Sequence, residues 1–451
     1  MTSTSIWLFV LGIVIFIVGL AISIGLHELG HLIPAKIFNV PVGKYFIGFG
    51  PKLFSKKIGE TEYGVKVIPL GGYISIAGMY PSGPAQVAGA AELEPKRGVR
   101  GFFSKIVSDA REANAESLEG FDESRAFYRL PIWKRVIVMF GGPFMNLVLG
   151  FVLFAILLTT FGRAGATTTI ASVSECVIPV TSSQTTCTAA DPLAPGAAAG
   201  LKPGDTIVAI DGVKQSSWNA NTDIIHDSAG KTLMFDIQRD GKPLTLAITP
   251  TAAERYVYDA EGKPVRDASG KLATEIVGFV GIAPESGLVP QPVTEVFPVM
   301  GQTIGGTLNL IANLPARLGD VSEAAFGTAE RQVDGPISVV GVGRVAGEIA
   351  STDKVDLPSK VASLIGILAS LNIALFVFNL IPLLPLDGGH IAGALWEGIR
   401  RGWARLRRKA DPGPFDASVL VPLTFVVMSL LMAMSALLIY ADIVKPVSIF
   451  G

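Results

Sequence analysis

Residues 6–31 read IWLFVLGIVIFIVGLAISIGLHELGH. No titratable side chain precedes His27 in that stretch, and a run of roughly 20 apolar residues is long enough to cross a bilayer as a helix. MTSTS ahead of it offers no basic start, and no small-residue cleavage site follows, so the run is expected to stay as a span and not to be removed as a secretory signal. Glu28 is then out of place. A carboxylate at the centre of a membrane helix costs about 2.5–3.5 kcal/mol on insertion scales, so such a residue is read as functional. His27 and His31 are four apart and share one helical face, with Glu28 beside them. H-E-x-x-H is the zinc pattern in which two imidazoles hold the metal and the carboxylate takes a proton from water. The plainer reading, two histidines satisfying each other in a helix bundle, leaves Glu28 buried to no purpose.

Outward from this stretch, residues 136–161, 361–386 and 418–441 form three more candidate spans, and 49% of the 451 residues are hydrophobic. The net charge of -1 gives no reason to expect a nucleic-acid partner. RRGWARLRRK (400–409) lies between the last two spans, and Arg129, Lys134 and Arg135 precede the second. Basic loops face the cytoplasm, which puts both termini and the long 162–360 region outside. Trp396 and Trp403 suit an interfacial anchor.

Two histidines leave a catalytic zinc one protein ligand short. FNLIPLLPLDGGH (378–390) supplies a candidate in Asp387. Pro382 and Pro385 cannot sit in an unbroken helix, and broken backbone at membrane depth is tolerated where it lines a cavity. Gly388 and Gly389 permit a close backbone approach. His390 is the rival ligand, read here as a neighbouring or interfacial group, and His226 reads as a surface residue.

HELGH together with N-x-x-P-x-x-x-L-D-G (Asn379, Pro382, Leu386, Asp387, Gly388) resembles the two signatures of the site-2 protease family of intramembrane zinc metalloproteases, peptidase M50. The resemblance implies one Zn2+ per chain on His27, His31 and Asp387, with Glu28 as the catalytic residue and Asn379 positioning substrate. GFGPKL (48–53) and VIPLGGYISIAGM (67–79) resemble the family's membrane-associated β-structure, and GGPFMN (141–146) also resembles its pattern. An edge strand there, around Gly71, Gly72 and Ile74, is expected to take up an extended substrate by strand addition; a plain structural hairpin is the alternative. The implied substrates are single-span membrane proteins such as anti-sigma factors, trimmed first by a site-1 protease, or remnant signal peptides. A non-catalytic scaffold and a membrane zincin cutting soluble loops are the competing classes.

PGAAAGLKPGDTIVAIDGVKQSSW (195–218) resembles a bacterial PDZ domain, with a hairpin over 235–250 turning on Asp240-Gly241. It occurs once, which with the 80–130 insert resembles the actinobacterial branch. Such a domain captures peptide by strand addition or sterically excludes untrimmed ectodomains; exclusion with some peptide contact is the expectation. Cys176 and Cys187, the only cysteines, are expected to form a disulfide in an oxidising compartment.

The expected fold is thus a polytopic α-helical membrane protein of about four transmembrane helices, with membrane-associated β-hairpin structure and one extracytoplasmic PDZ domain. Its expected parts are a first helix (1–35), β-structure (36–80), a cytoplasmic loop (81–135), a second helix (136–161), the PDZ domain (166–286) and an amphipathic segment on the outer membrane face (287–360). A third helix (361–390), a basic cytoplasmic loop (391–417) and a fourth helix (418–441) complete it. The expected location is the bacterial cytoplasmic membrane, with lipid as a partner. Residues 81–130 and 287–350 have no assigned job.

Overall fold

Helix α1 (Ser3–Ile37) carries the opening stretch without interruption. It belongs to a computed structural model that describes residues 3–81, 99–182, 184, 186–215, 217–257, 263–266, 270–328, 330–332, 335–416 and 420–447. The part of the expected cytoplasmic loop between 82 and 98 lies outside the described residues. Two units form, residues 1–157 with 293–451, and residues 158–292.

Among the described residues, four helices are long and apolar enough to cross a membrane: Ser5–Ile37, Ile132–Phe161, Leu357–Asn379 and Val421–Val444. After α1 come two long strands, β1 (Val42–Ile58) and β2 (Thr61–Ile76), then α2 (Val99–Leu118) and α3 (Ile132–Ile156). Both strands bend. Tyr45 pairs with Ile74 on one side and Tyr63 on the other, while Phe54 pairs with Val65. The sheet therefore runs 72–76, 42–47, 61–66, 52–58 across its width, and residues 72–76 form an edge. A simple hairpin would have placed them at the end of a two-stranded ribbon.

Helices α5 (Val296–Ala312), α6 (Leu314–Phe326) and α7 (Val339–Ser351) fill the segment expected to lie on the outer membrane face. Among them, α7 packs on α1. Ala346 is fully buried in a cluster with Phe16 and Leu20 of α1, and a Cβ on Gly12 would collide with the Ala346 carbonyl. Small residues allow the two backbones this approach, the usual basis of helix packing in an apolar surround.

Helix α8 (Leu357–Asn379) is followed, across a break at 380–386, by α9 (Asp387–Leu406), and α10 (Val421–Val444) closes the unit. Asn372 of α8 donates to Ser23 Oγ of α1 at 3.0 Å, a contact worth about 0.6 kcal/mol in membrane bundles. The expected helix 361–390 thus stops at Asn379, because Pro382 and Pro385 cannot continue the backbone ladder. Most of the expected basic loop is instead helical. Glu397 of α9 is fully buried and ion-paired with Arg135 of α3 at 2.7 Å and with Arg401 at 3.1 Å, so two charges read as marking the cytoplasmic side also neutralise a buried carboxylate. Asp442 of α10 pairs with Arg331 at 2.9 Å and accepts from Ser338 N at the start of α7.

In the second unit, β3 (Arg163–Val173), β4 (Thr206–Ile210), β5 (Val213–Lys214), β6 (Leu233–Arg239), β7 (Lys242–Ile248) and β10 (Ile282–Val289) make a sheet in the order β10-β3-β4-β6-β7, with β5 on β4. Helix α4 (Trp218–His226) and a separate hairpin of β8 (Thr251–Tyr256) and β9 (Thr274–Phe279) complete it. Ile170, Ile207, Phe235 and Ile237 build the core. Asp240 and Gly241 turn the β6–β7 hairpin at φ of 50° and 76°, the positive values a type I′ turn needs. The Arg239 guanidinium grips the buried Asp205 through two contacts of 2.7 Å and holds its carboxyl below the usual range. Cys176 and Cys187 are disulfide-bonded.

Candidate metal centre

One turn of α1 separates His27 from His31, and their rings meet edge to face with centroids 4.9 Å apart. Their Nε2 atoms lie 3.2 Å from each other. From α9, whose first residue is Asp387, one carboxylate oxygen comes within 3.3 Å of His27 Nε2 and the other within 3.3 Å of His31 Nε2. One donor atom from each residue can be chosen so that all three lie within 4.8 Å of one another.

The chemistry of this set fits a divalent ion. His31 Nδ1 donates to the Val138 carbonyl at 2.8 Å, which keeps the ring proton away from Nε2 and turns a lone pair to the centre. Asp387 Oδ2 is buried without a hydrogen-bond partner. Two imidazole nitrogens and a carboxylate oxygen around one point are ordinary zinc donors, and three protein ligands leave the open position a catalytic site keeps.

Glycines make the convergence possible. A Cβ on Gly142 of α3 would run into His31 Nε2, and those on Gly30 and Gly141 would each strike the other's carbonyl. The paired glycines of GGPFMN are thus where α3 presses against the histidine face of α1. On the other side, Cβ atoms on Gly388 and Gly389 would collide with the backbone of Leu380 and Leu384, so the start of α9 nests against the break that precedes it.

A cavity of about 490 Å³ opens at the centre, lined among others by Glu28, Asn379, Gly72 and Ile74. The edge 72–76 is therefore the edge that faces it. Gly71 is not among the lining residues; it occupies the bend just before the edge, at φ 129°, against the ring of Phe49. His390 lines the cavity and packs near Tyr80, ring centroids 6.2 Å apart, but it is not one of the three converging donors. His226 ends α4 in the other unit.

Sequence reasoning missed two contributors. Asn146 of α3 is buried with its amide 3.1 Å from His27 Nδ1; its place at the end of GGPFMN was the available signal. Helix α2, from the unassigned insert, brings Asn114 and Ser117 to the cavity wall. Asn114 accepts from Tyr80 N at 3.0 Å and donates to Tyr80 O at 2.9 Å, while Ser117 Oγ accepts from Gly78 N at 3.2 Å. Nothing local to AREANAESLEG announces that contact.

The model of peptidase family M50 matches residues 15–410. The chain is similar to zinc metalloprotease Rip1 of Mycobacterium tuberculosis, with 33% identity covering 98% of this chain and 100% of that protein. It is 32% identical to Rip1 of Mycolicibacterium smegmatis over the same shares. Metalloprotease MmpA of Caulobacter vibrioides is 27% identical over 90% of this chain and 91% of its own length.

Proposed function

The chain belongs to peptidase family M50 and is a zinc metalloprotease, and from that premise we propose that it cuts single-span membrane proteins within the bilayer. The carrying observation is the convergence of His27, His31 and Asp387 between helices apolar enough to be spans. In this reading those three hold one zinc per chain. When bound, zinc supplies Lewis-acid activation of water and of the scissile carbonyl.

The protein's own groups do the rest. A peptide bond in a helix is shielded by its own hydrogen bonds, so the substrate span has to unwind before it can be cut. The edge 72–76 receives the unwound segment by backbone pairing, with Gly72 and Ile74 in the cavity wall and Gly71 at the bend that sets the edge. Asn379, at the end of α8, orients that segment beside the ligands. Glu28 takes the proton that the water gives up and passes it to the leaving amine, acting as base and then acid.

Residues 166–286 we read as a single PDZ domain on the extracytoplasmic side of a bacterial cytoplasmic membrane. Its strand β10 ends the sheet, which supports some pairing with an extended peptide; exclusion of untrimmed ectodomains is the larger part of its proposed role. Anti-sigma factors already trimmed by a site-1 protease, or remnant signal peptides, are the substrates proposed.

The test is cleavage of a single-span substrate in liposomes, with zinc content measured for each variant. Glu28→Gln is expected to keep its zinc and lose turnover. Normal turnover by that variant would end the reading.

A further inference from the structure

We propose that Asn146 sets the ring tautomer of His27 and so readies its Nε2 for the metal, an inference that rests on reading His27 as a ligand. Asn146 is 1% exposed, and its amide reaches His27 Nδ1 at 3.1 Å. The second histidine already has a partner that cannot be mistaken. A backbone carbonyl only accepts, so Val138 O holds the proton of His31 on Nδ1. His27 has no such carbonyl; it has an amide that offers a donor and an acceptor in one plane.

The two orientations of that amide have opposite consequences. With Nδ2 toward the ring, Nδ1 must accept, and the proton moves to Nε2. There it points at His31 Nε2, 3.2 Å away, and fills the direction a metal would need. A half-turn of the amide brings Oδ1 to the same place, where it accepts from Nδ1–H and leaves the Nε2 lone pair free. In the first orientation Oδ1 is buried with no partner, and in the second that position passes to Nδ2. The first orientation therefore carries an unmet buried acceptor. Metal binding selects the second, because only the carbonyl-inward amide is compatible with a ligating Nε2. Asn146 is thus a positioning residue acting through His27, equivalent to Val138 O at His31.

Zinc dissociation constants of the full chain in detergent, measured by chelator competition, test this, with the melting midpoint of each metal-stripped variant as the check on folding. Asn146→Leu is expected to weaken zinc binding by about 10–100-fold. Asn146→Asp, which can only accept from Nδ1–H at neutral pH, is expected to restore it. Asn372→Leu removes another buried amide of the bundle, one bonded to Ser23 and Leu368, and should leave zinc affinity unchanged. Wild-type affinity in Asn146→Leu, or an Asn146→Asp as weak as Asn146→Leu, overturns the proposal. Wild-type affinity in His27→Ala overturns the ligand reading itself, and the proposal with it.

Discussion

The two halves of the proposed metal centre are built in opposite ways. His27 and His31 ride on an unbroken helix of 35 residues, one turn apart, so a single local geometry sets their spacing. Asp387 arrives where the chain gives up its helix at Asn379 and starts another at Asp387, and its place depends on everything that holds α9. A regular helix delivers two ligands cheaply but only along its own face. A third from another direction requires a break, and the break needs outside support, here glycines nested on Leu380 and Leu384 and the buried pair Glu397–Arg135.

Removing the broken half's ligand should have the largest effect. Asp387→Ala is expected to lose most of the roughly one zinc per chain that a three-ligand site holds, whereas His390→Ala, three residues on in the same helix and outside the converging donors, should keep it. Metal analysis of the two purified variants decides this. The reverse pattern would make the break a carrier for His390 and dissolve the comparison.

That contrast also explains what could be read from the residues alone. HELGH is a one-turn pattern on one helix, and the two prolines before Asp387 announce a break, so the residues that converge were legible from their pattern. Contacts between helices were not. In a membrane bundle the lipid-facing and helix-facing sides are both apolar, so no polarity step marks Gly12 of α1 as the position that meets Ala346. Arg135 illustrates the opposite error: as a charge it was countable, but its pairing with Glu397 joins positions far apart in sequence. The fold-back that makes 72–76 an edge comes from double pairing of Tyr45, which the short run of strand-formers between glycines does not encode.

The unbroken half can be attacked without touching a ligand. Gly142→Ala puts a methyl group against His31 Nε2, and the atoms nearest to it all belong to the rings of His31 and His27. Zinc affinity should fall by about 10–100-fold, the range seen when the surroundings of a ligand are disturbed. Gly150→Ala, on the same helix, meets the Ile373 side chain, Cδ1 at 2.7 Å and Cγ1 at 3.2 Å, far from the histidines, and should change affinity little. Equal zinc titrations for the two would mean the close approach of α3 is not what shapes the histidine face.

A third test separates metal from substrate. Ile74→Pro deletes one backbone N–H from the cavity-facing edge, and proline in a strand interrupts its ladder. Cleavage should drop while zinc stays, and Lys56→Pro, on the far edge of the same sheet, should cleave more nearly as wild type does. Normal turnover in Ile74→Pro removes the strand clamp and leaves both halves of the metal centre as they are.

The smallest effect is expected at the wall that neither half supplies. Asn114 closes a two-point clamp on the Tyr80 backbone, at 3.0 and 2.9 Å, and the Arg111–Asp416 ion pair of 2.7 Å ties the same helix α2 to the segment ahead of α10. Asn114→Ala leaves the Tyr80 N–H and carbonyl to find water, a loss of roughly 0.5–1.5 kcal/mol for each bond. Because Arg111 and Ser117 still hold α2, the wall should loosen and not detach. Zinc binding should be unaffected, since Asn114 touches no ligand, while protection of the Tyr80 amide from hydrogen exchange should fall by about tenfold, the equivalent of about 1.4 kcal/mol. Unchanged protection would show that α2 is pinned by its other contacts alone. A fall in zinc affinity would show that the broken half reaches further than Glu397, because the wall would then also be holding Asp387 in place.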